Sequence, residues 1–200
     1  LLEGKRAEAL DRETAGEVLA RAGEAPQLAA TWKSLSRGQR KDPVLVAAYA
    51  RRALALGVGA SAVEPVEKTL RTQWDDDLAV LYGRLPLENP AAALKKAEGW
   101  LRNHPENPAL MLTLGRLCRR AELWGKAREY LEKSLTLGPR ADTYRELAEL
   151  KERDGDTAGA MACYRNVVHL EREEPVEPVP VSATRRLGAP GGGETGDGGT

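Results

Sequence analysis

The stretch Gly57-Val58-Gly59-Ala60-Ser61-Ala62 fits the loose glycine fingerprint of a dinucleotide-binding turn. Asp75, Asp76 and Asp77 follow at a distance suited to a ribose hydroxyl. Such a fingerprint must leave a strand and enter a helix, so that backbone N–H groups meet the pyrophosphate. Here it follows "PVLVAAYARRALAL", a helical stretch with Pro43 at its start and Arg51-Arg52 within it. A turn between two helices is therefore expected, with both glycines relaxing backbone constraints. Three successive aspartates on a helix point in three directions and make a poor cage for a cation. They suit the positive end of a helix dipole instead.

His104, His169, Cys118 and Cys163 are iron-ligand types, but they are too scattered for a metal-ligand spacing. Cys118 falls on a packing position, His104 sits in the turn "NHPEN" where it should face solvent, and His169 lies near the end of the last helix, where a positive imidazole suits the dipole. Neither histidine lies in a catalytic motif, and no strand-turn-helix presents a serine. The expectation is a protein that is not an enzyme and holds no cofactor, with haem contact through one of these four residues as the alternative.

Lys plus Arg and Asp plus Glu number 30 each, so net charge gives no argument for nucleic acid or for an anionic membrane surface. Only 4% of residues are aromatic and none is Phe, so alanine and leucine must fill the core, which favours closely packed helices. Apolar residues recur three and four apart, and alternating polarity is absent. Asp42-Pro43, Asn89-Pro90 and Asn107-Pro108 each place a polar cap before a proline whose missing N–H is harmless in a first turn. Gly138-Pro139 reads as a stop, with glycine suited to the left-handed residue after a helix. These marks predict helices near 5–22, 27–38, 43–56, 60–72, 75–84, 90–102, 108–120, 124–136, 141–153 and 157–171, in pairs. Residues 175–200, rich in Pro and Gly, are expected to be disordered.

Leu114, Gly115, Ala127 and Leu131 recur as Leu147, Ala148, Ala160 and Tyr164, each 33 residues later. Ala127 and Pro139 look back 34 residues to Ala93 and Pro105. Val46, Tyr49, Ala50 and Ala53 keep the order of Met111, Leu114, Gly115 and Cys118. The pattern resembles the tetratricopeptide repeat, a helix-turn-helix unit of about 34 residues in which small residues let two antiparallel helices approach closely. The fold class expected is all-α, a tetratricopeptide-repeat-like right-handed superhelix of antiparallel helix pairs. Residues 1–42 form a divergent first repeat, 43–174 the repeat region and 175–200 the tail. Gly115 and Ala127 should face each other while Leu114 and Leu131 fill the space beside them, with Leu147, Ala148, Ala160 and Tyr164 repeating those roles. Stacked repeats leave a concave face lined by first helices. Leu112, Arg116, Arg119 and Arg120, then Arg145, Glu149 and Glu152, are the residues expected there to bind a partner. Trp32, Trp74, Trp100 and Trp124 read mainly as packing, Trp124 as a plug between repeats.

The segments "QWDDDLAVLYGRL", "LKKAEGWLRNHPENPALMLTLGRLCRRAELWGKAREYLEKSL" and "TYRELAELKERDGDTAGAMACYRNVV" resemble the carboxy-terminal half of the proteobacterial HemY family. The likeness covers about residues 25 to 170, and Trp74-Asp75, Tyr82-Gly83, Leu114-Gly115 and Leu123 to Ala127 are its most specific points. It implies an inner-membrane tetratricopeptide-repeat protein associated with late haem (protohaem) biosynthesis. It further implies a membrane anchor ahead of Leu1, a position at the bacterial inner membrane with this part facing the cytoplasm, and partners among proteins of the haem-synthesis pathway. The role expected is a non-catalytic scaffold. A generic peptide-binding adaptor or a haem carrier are the alternatives.

Overall fold

The computed structural model describes residues 2–179, with side chains described from Asp11 onward. The helices are α1 (Leu2–Arg21), α2 (Ala25–Ser34), α3 (Pro43–Ala55), α4 (Val63–Thr72), α5 (Asp76–Tyr82), α6 (Pro90–Trp100), α7 (Pro108–Arg120), α8 (Trp124–Leu137), α9 (Ala141–Arg153) and α10 (Thr157–Glu171). No strand occurs among the described residues. The polar-cap-plus-proline starts work as local chemistry dictates. The side chain of Asp42 accepts from Val44 N at 2.9 Å, Asn89 from Ala92 N at 2.9 Å and Asn107 from Leu110 N at 2.8 Å. Each satisfies one of the N–H groups that a first helical turn leaves without a partner.

Three first helices end alike. Beyond α3, α7 and α9 the residues Gly57, Glu122 and Gly155 take positive φ of 73°, 59° and 77°. In each case the next N–H returns to the helix: Val58 to Ala53 O at 2.9 Å, Leu123 to Cys118 O at 2.9 Å, Asp156 to Lys151 O at 2.8 Å. This left-handed turn closes the helix and swings the chain into its antiparallel partner. Gly138 differs from expectation: at φ −179° and ψ 121° it is extended, and α8 passes to α9 without a left-handed residue.

The first helices α3, α5, α7 and α9 pack in sequence, while α4, α8 and α10 lie against α3, α7 and α9. A Cβ added at Gly115 would stand 2.7 Å from both Cγ and Cδ2 of Leu131 and 3.5 Å from Ala127 O, so the α7 and α8 backbones meet there without room for a methyl group. Leu114, Ala127 and Leu131 are fully buried around that contact. In the next pair Leu147, Ala148 and Ala160 are buried, but Tyr164 is not. It is 36% exposed, and its hydroxyl donates to Glu152 Oε2 at 3.2 Å. A phenol is longer than the leucine it replaces and carries a polar tip, so it reaches the rim.

The pair α5 and α6 is irregular. With seven residues, α5 is half the length of α8, and α6 packs on α7 rather than on α5. Aromatic rings occupy the widened space: Trp100 meets Tyr82 and Trp74 edge-on at 5.2 and 5.8 Å, and His104 stacks on Trp74 at 3.9 Å. His104 therefore packs rather than facing solvent. At the amino-terminal end, α1 and α2 cover α3, burying Leu19, Ala22 and Leu28 in the same continuous core.

The tail expected to be disordered from residue 175 is placed as far as 179. After α10, Glu173 takes φ 58° and Glu174 N bonds His169 O at 2.8 Å, so the chain turns back. Asn166 Nδ2 donates to Glu177 O at 2.8 Å, and Glu177 N donates to Asn166 Oδ1 at 2.7 Å. The remainder of that tail, residues 180–200, lies outside the described residues.

Candidate functional site

On the first-helix side, α7 stands at the centre because its neighbours are α5, α6, α8 and α9. Covered on so many flanks, it is buried continuously from Ala109 to Cys118. Leu112, expected to face a partner, is accordingly fully buried. Arg116 is also interior, with a side chain 8% exposed.

Successive turns of α7 bond to the carbonyl end of α5. Thr113 Oγ1 donates to Ala79 O at 2.6 Å and Arg116 Nη1 to Val80 O at 3.2 Å. Arg120 Nη1 and Nη2 donate to Leu85 O and Arg84 O at 2.6 and 3.2 Å. A short helix leaves carbonyls without partners at its C-terminus, and cationic donors suit that negative end. Gly83 permits the approach, since a Cβ there would lie 3.3 Å from Thr113 Cα.

The same arginines reach the other way to α9. Arg116 Nε donates to Glu146 Oε1 at 2.7 Å and Nη2 to Asp142 Oδ2 at 3.1 Å. Arg119 pairs with Glu146 Oε2 through Nη1 and with Glu149 Oε2 through Nη2 at 2.6 Å. Arg116 thus uses all three of its nitrogens within the protein, binding α5 to α9. Burial works against charge on Asp142, yet Arg116, then Arg84 and Arg145, outweigh it and hold the carboxyl below its ordinary range.

Between these helices lies a cavity of about 350 Å³ lined by Gly83, Arg84, Arg116, Arg119, Arg120, Trp124, Glu146 and Glu149. Arg119, Arg120 and Glu149 line it as expected residues of the concave face. Arg145 stands outside it, bonded to Asp142 at 3.0 Å and Glu171 at 2.6 Å. Glu152 turns instead toward Tyr164. Arg84, Trp124 and Glu146 are additions that the repeat frame does not mark, although Arg116 to Glu146 and Arg119 to Glu149 share a 30-residue step that brings adjacent first helices into register. Arg120 has carbonyls but no carboxylate as partners, and burial lowers its pKa against the pull of Glu146. Arg84 is exposed and forms no ion pair among the described residues. The arrangement leaves two cations able to accept an anionic group beside carboxylates that are already occupied.

The other chemistry-bearing residues lie elsewhere. The Gly57–Ala62 stretch joins two helices, and a Cβ on Gly59 would meet Pro86 Cδ at 2.9 Å, leaving no approach for a pyrophosphate. Asp75 caps α5 through Leu78 N at 2.8 Å, Asp76 accepts from Trp74 Nε1 at 2.8 Å and Asn107 Nδ2 at 2.7 Å, and Asp77 pairs with Arg51 at 2.8 Å. Three directions give three separate partners. Cys118 and Cys163 are buried, and burial pushes each thiol up to about 11. His169 Nδ1 lies 3.1 Å from Glu174. None of these four ligand types lines the arginine cavity, and no cluster of three His, Cys, Asp or Glu suited to a metal occurs among the described residues. Trp124 lies under the guanidinium of Arg153, 3.7 Å from its ring centroid. No described helix is long and apolar enough to cross a membrane.

No family model and no curated protein matches the chain. Among solved structures, MamA 41-end from Desulfovibrio magneticus RS-1 matches with a TM-score of 0.54, over 82% of this chain and 96% of that one, at 21% identity. A MamA RS-1 ArsTM double mutant matches with the same TM-score of 0.54, over 82% of this chain and 94% of that one, at 22% identity. The fold is an all-α tetratricopeptide-repeat-like superhelix. Similarity at this level of identity carries the architecture and nothing finer.

Proposed function

We propose that the chain is a non-catalytic protein-interaction scaffold whose concave cavity holds an acidic segment of a partner protein. The observation that carries this is the pair Arg84 and Arg120, which line a cavity between packed first helices and form no ion pair with a carboxylate among the described residues. Charge-assisted bonds from arginine to a carboxylate are strong and directional, and a preformed framework loses little entropy on binding. The resemblance to the HemY family supplies the finer reading. It makes the partners proteins of late haem biosynthesis and the setting the inner membrane, reached through an anchor outside this chain. Two thiols closed inside helix pairs and His104 stacked on Trp74 favour a scaffold over a haem carrier.

Solubilised membranes passed over the immobilised protein test this, with bound proteins identified by mass spectrometry. Porphyrin-pathway enzymes should be retained, and Arg84→Glu should abolish their retention while the variant keeps a single cooperative thermal transition. Retention that ignores Arg84→Glu would remove the cavity from the account. Charge-sensitive retention of unrelated proteins alone would keep the scaffold and overturn the haem assignment. A Soret band altered by the protein would revive the carrier.

A further inference from the structure

We infer that the second-helix side carries, between α8 and α10, a groove for extended segments of a partner protein in which apolar side chains recur every third residue, and that residues 174–179 are a tethered occupant of it. This site lies apart from the arginine cavity and does not rest on it. Its reader is Asn166 of α10, fully buried, whose amide bonds both the C=O and the N–H of Glu177. An amide that grips one residue by both backbone groups recognises an extended chain whatever side chain that residue carries.

The side chains follow a period of three. Val176 and Val179 turn inward against the core, while Pro175, Glu177 and Pro178 are exposed. That is the register of a polyproline II helix, three residues per turn, which proline pre-orders. The groove is walled by Leu135 of α8 and by Tyr144 and Leu147 of α9, and about 470 Å³ remains open beside the two valines. That depression opens to solvent beside the segment and leaves room for larger apolar residues at the same spacing. Besides the two backbone bonds and the two valines, the segment is held by contacts of Glu174 with His169 and of Glu177 with Arg165 and His169, all at partly exposed side chains. It leaves α10 through Glu173, a non-glycine residue at positive φ. The kind of partner is thus an extended, proline-containing segment with bulky apolar residues three apart, competing with a tethered copy of its own chemistry.

Fluorescence anisotropy of a labelled Glu-Pro-Val-Glu-Pro-Val peptide tests this on the full chain. A segment tethered by a short link sits at an effective concentration near millimolar, so the wild type should bind the peptide poorly. The double variant Val176→Asp/Val179→Asp, whose strap is released, should bind at least about tenfold more tightly. Adding Asn166→Asp, which keeps shape but removes the amide donor, should return binding to the wild-type level. Equal binding by wild type and double variant, or binding indifferent to Asn166→Asp, overturns the proposal. So does a double variant that loses its cooperative thermal transition, because the strap would then be part of the core. A wild-type dimer that the double variant dissolves overturns it in favour of strap exchange between copies.

Discussion

Replacing Gly115 with alanine puts a methyl carbon 2.7 Å from Cγ and Cδ2 of Leu131, a side chain that is itself fully buried. Leu131 cannot yield without moving α8 against α7, so the change should cost about 1–3 kcal/mol. Urea unfolding measures it, and an unchanged midpoint would show that the two helices do not meet at that point. The residue was legible because small side chains recur there at a fixed spacing, whatever the rest of the fold does. Leu112 and Arg116 were not legible in the same way. They lie at the edge of the apolar stripe of α7, and whether an edge position is covered depends on how closely α5 and α9 approach. Tyr164 occupies the leucine position of its repeat, but only the space around the ring decides that it emerges at the rim.

Among the elements, α5 explains most about the site. Because it stops after Tyr82, its last carbonyls need donors, and α7 supplies them through Thr113 and Arg116, while Arg120 bonds the carbonyls of Arg84 and Leu85 in the turn that follows. Arg116→Ala would leave Val80 O and one oxygen each of Asp142 and Glu146 without the donor that a largely buried guanidinium supplies, although Asp142 keeps Arg145 and Glu146 keeps Arg119. Breaking such a buried pair costs about 3 kcal/mol, whereas Arg145→Ala, half exposed, should cost under about 1 kcal/mol. Denaturant melts of the two variants test that ranking. Acid should undo the same network. Asp142 holds its carboxyl below the ordinary range in the folded state, so its contribution is fully present above the unfolded value of about 3.9. It is lost as pH falls from there through the folded value. Asp142→Asn should therefore flatten the acid limb of a stability-against-pH curve, and an acid limb identical to that of the parent would show that Arg116 does not hold this carboxylate.

For the whole molecule, each helix pair leans on its neighbours, and among the described residues the pair α9 and α10 has a repeat on one side only. Cys163 reports on α9 and α10, and Cys118 on α7 and α8, both through buried thiols pushed up to about 11. A thiol reagent near neutral pH should label neither in the closed protein, and should reach Cys163 before Cys118 as urea is raised. Simultaneous labelling would mean that the superhelix opens as one unit. The strap over Asn166 braces that terminal pair, so releasing it with the double valine variant should widen the interval between the two events.

Helix starts, the interhelix turn at Gly57, the antiparallel pairing of α7 with α8 and the close contact at Gly115 are written in the sequence, because each depends on residues within one repeat. Caps, prolines and small residues act over a turn or two of chain, and a repeated spacing exposes them. The tertiary structure alone decided which arginines are occupied, how Arg84 comes to share a cavity with Arg119 and Arg120, and where the Glu174–Val179 segment returns. Those outcomes depend on distances between helices that are far apart in sequence. They are set by how short α5 is and by how much space each pair leaves its neighbour, and no local pattern of residues encodes that geometry.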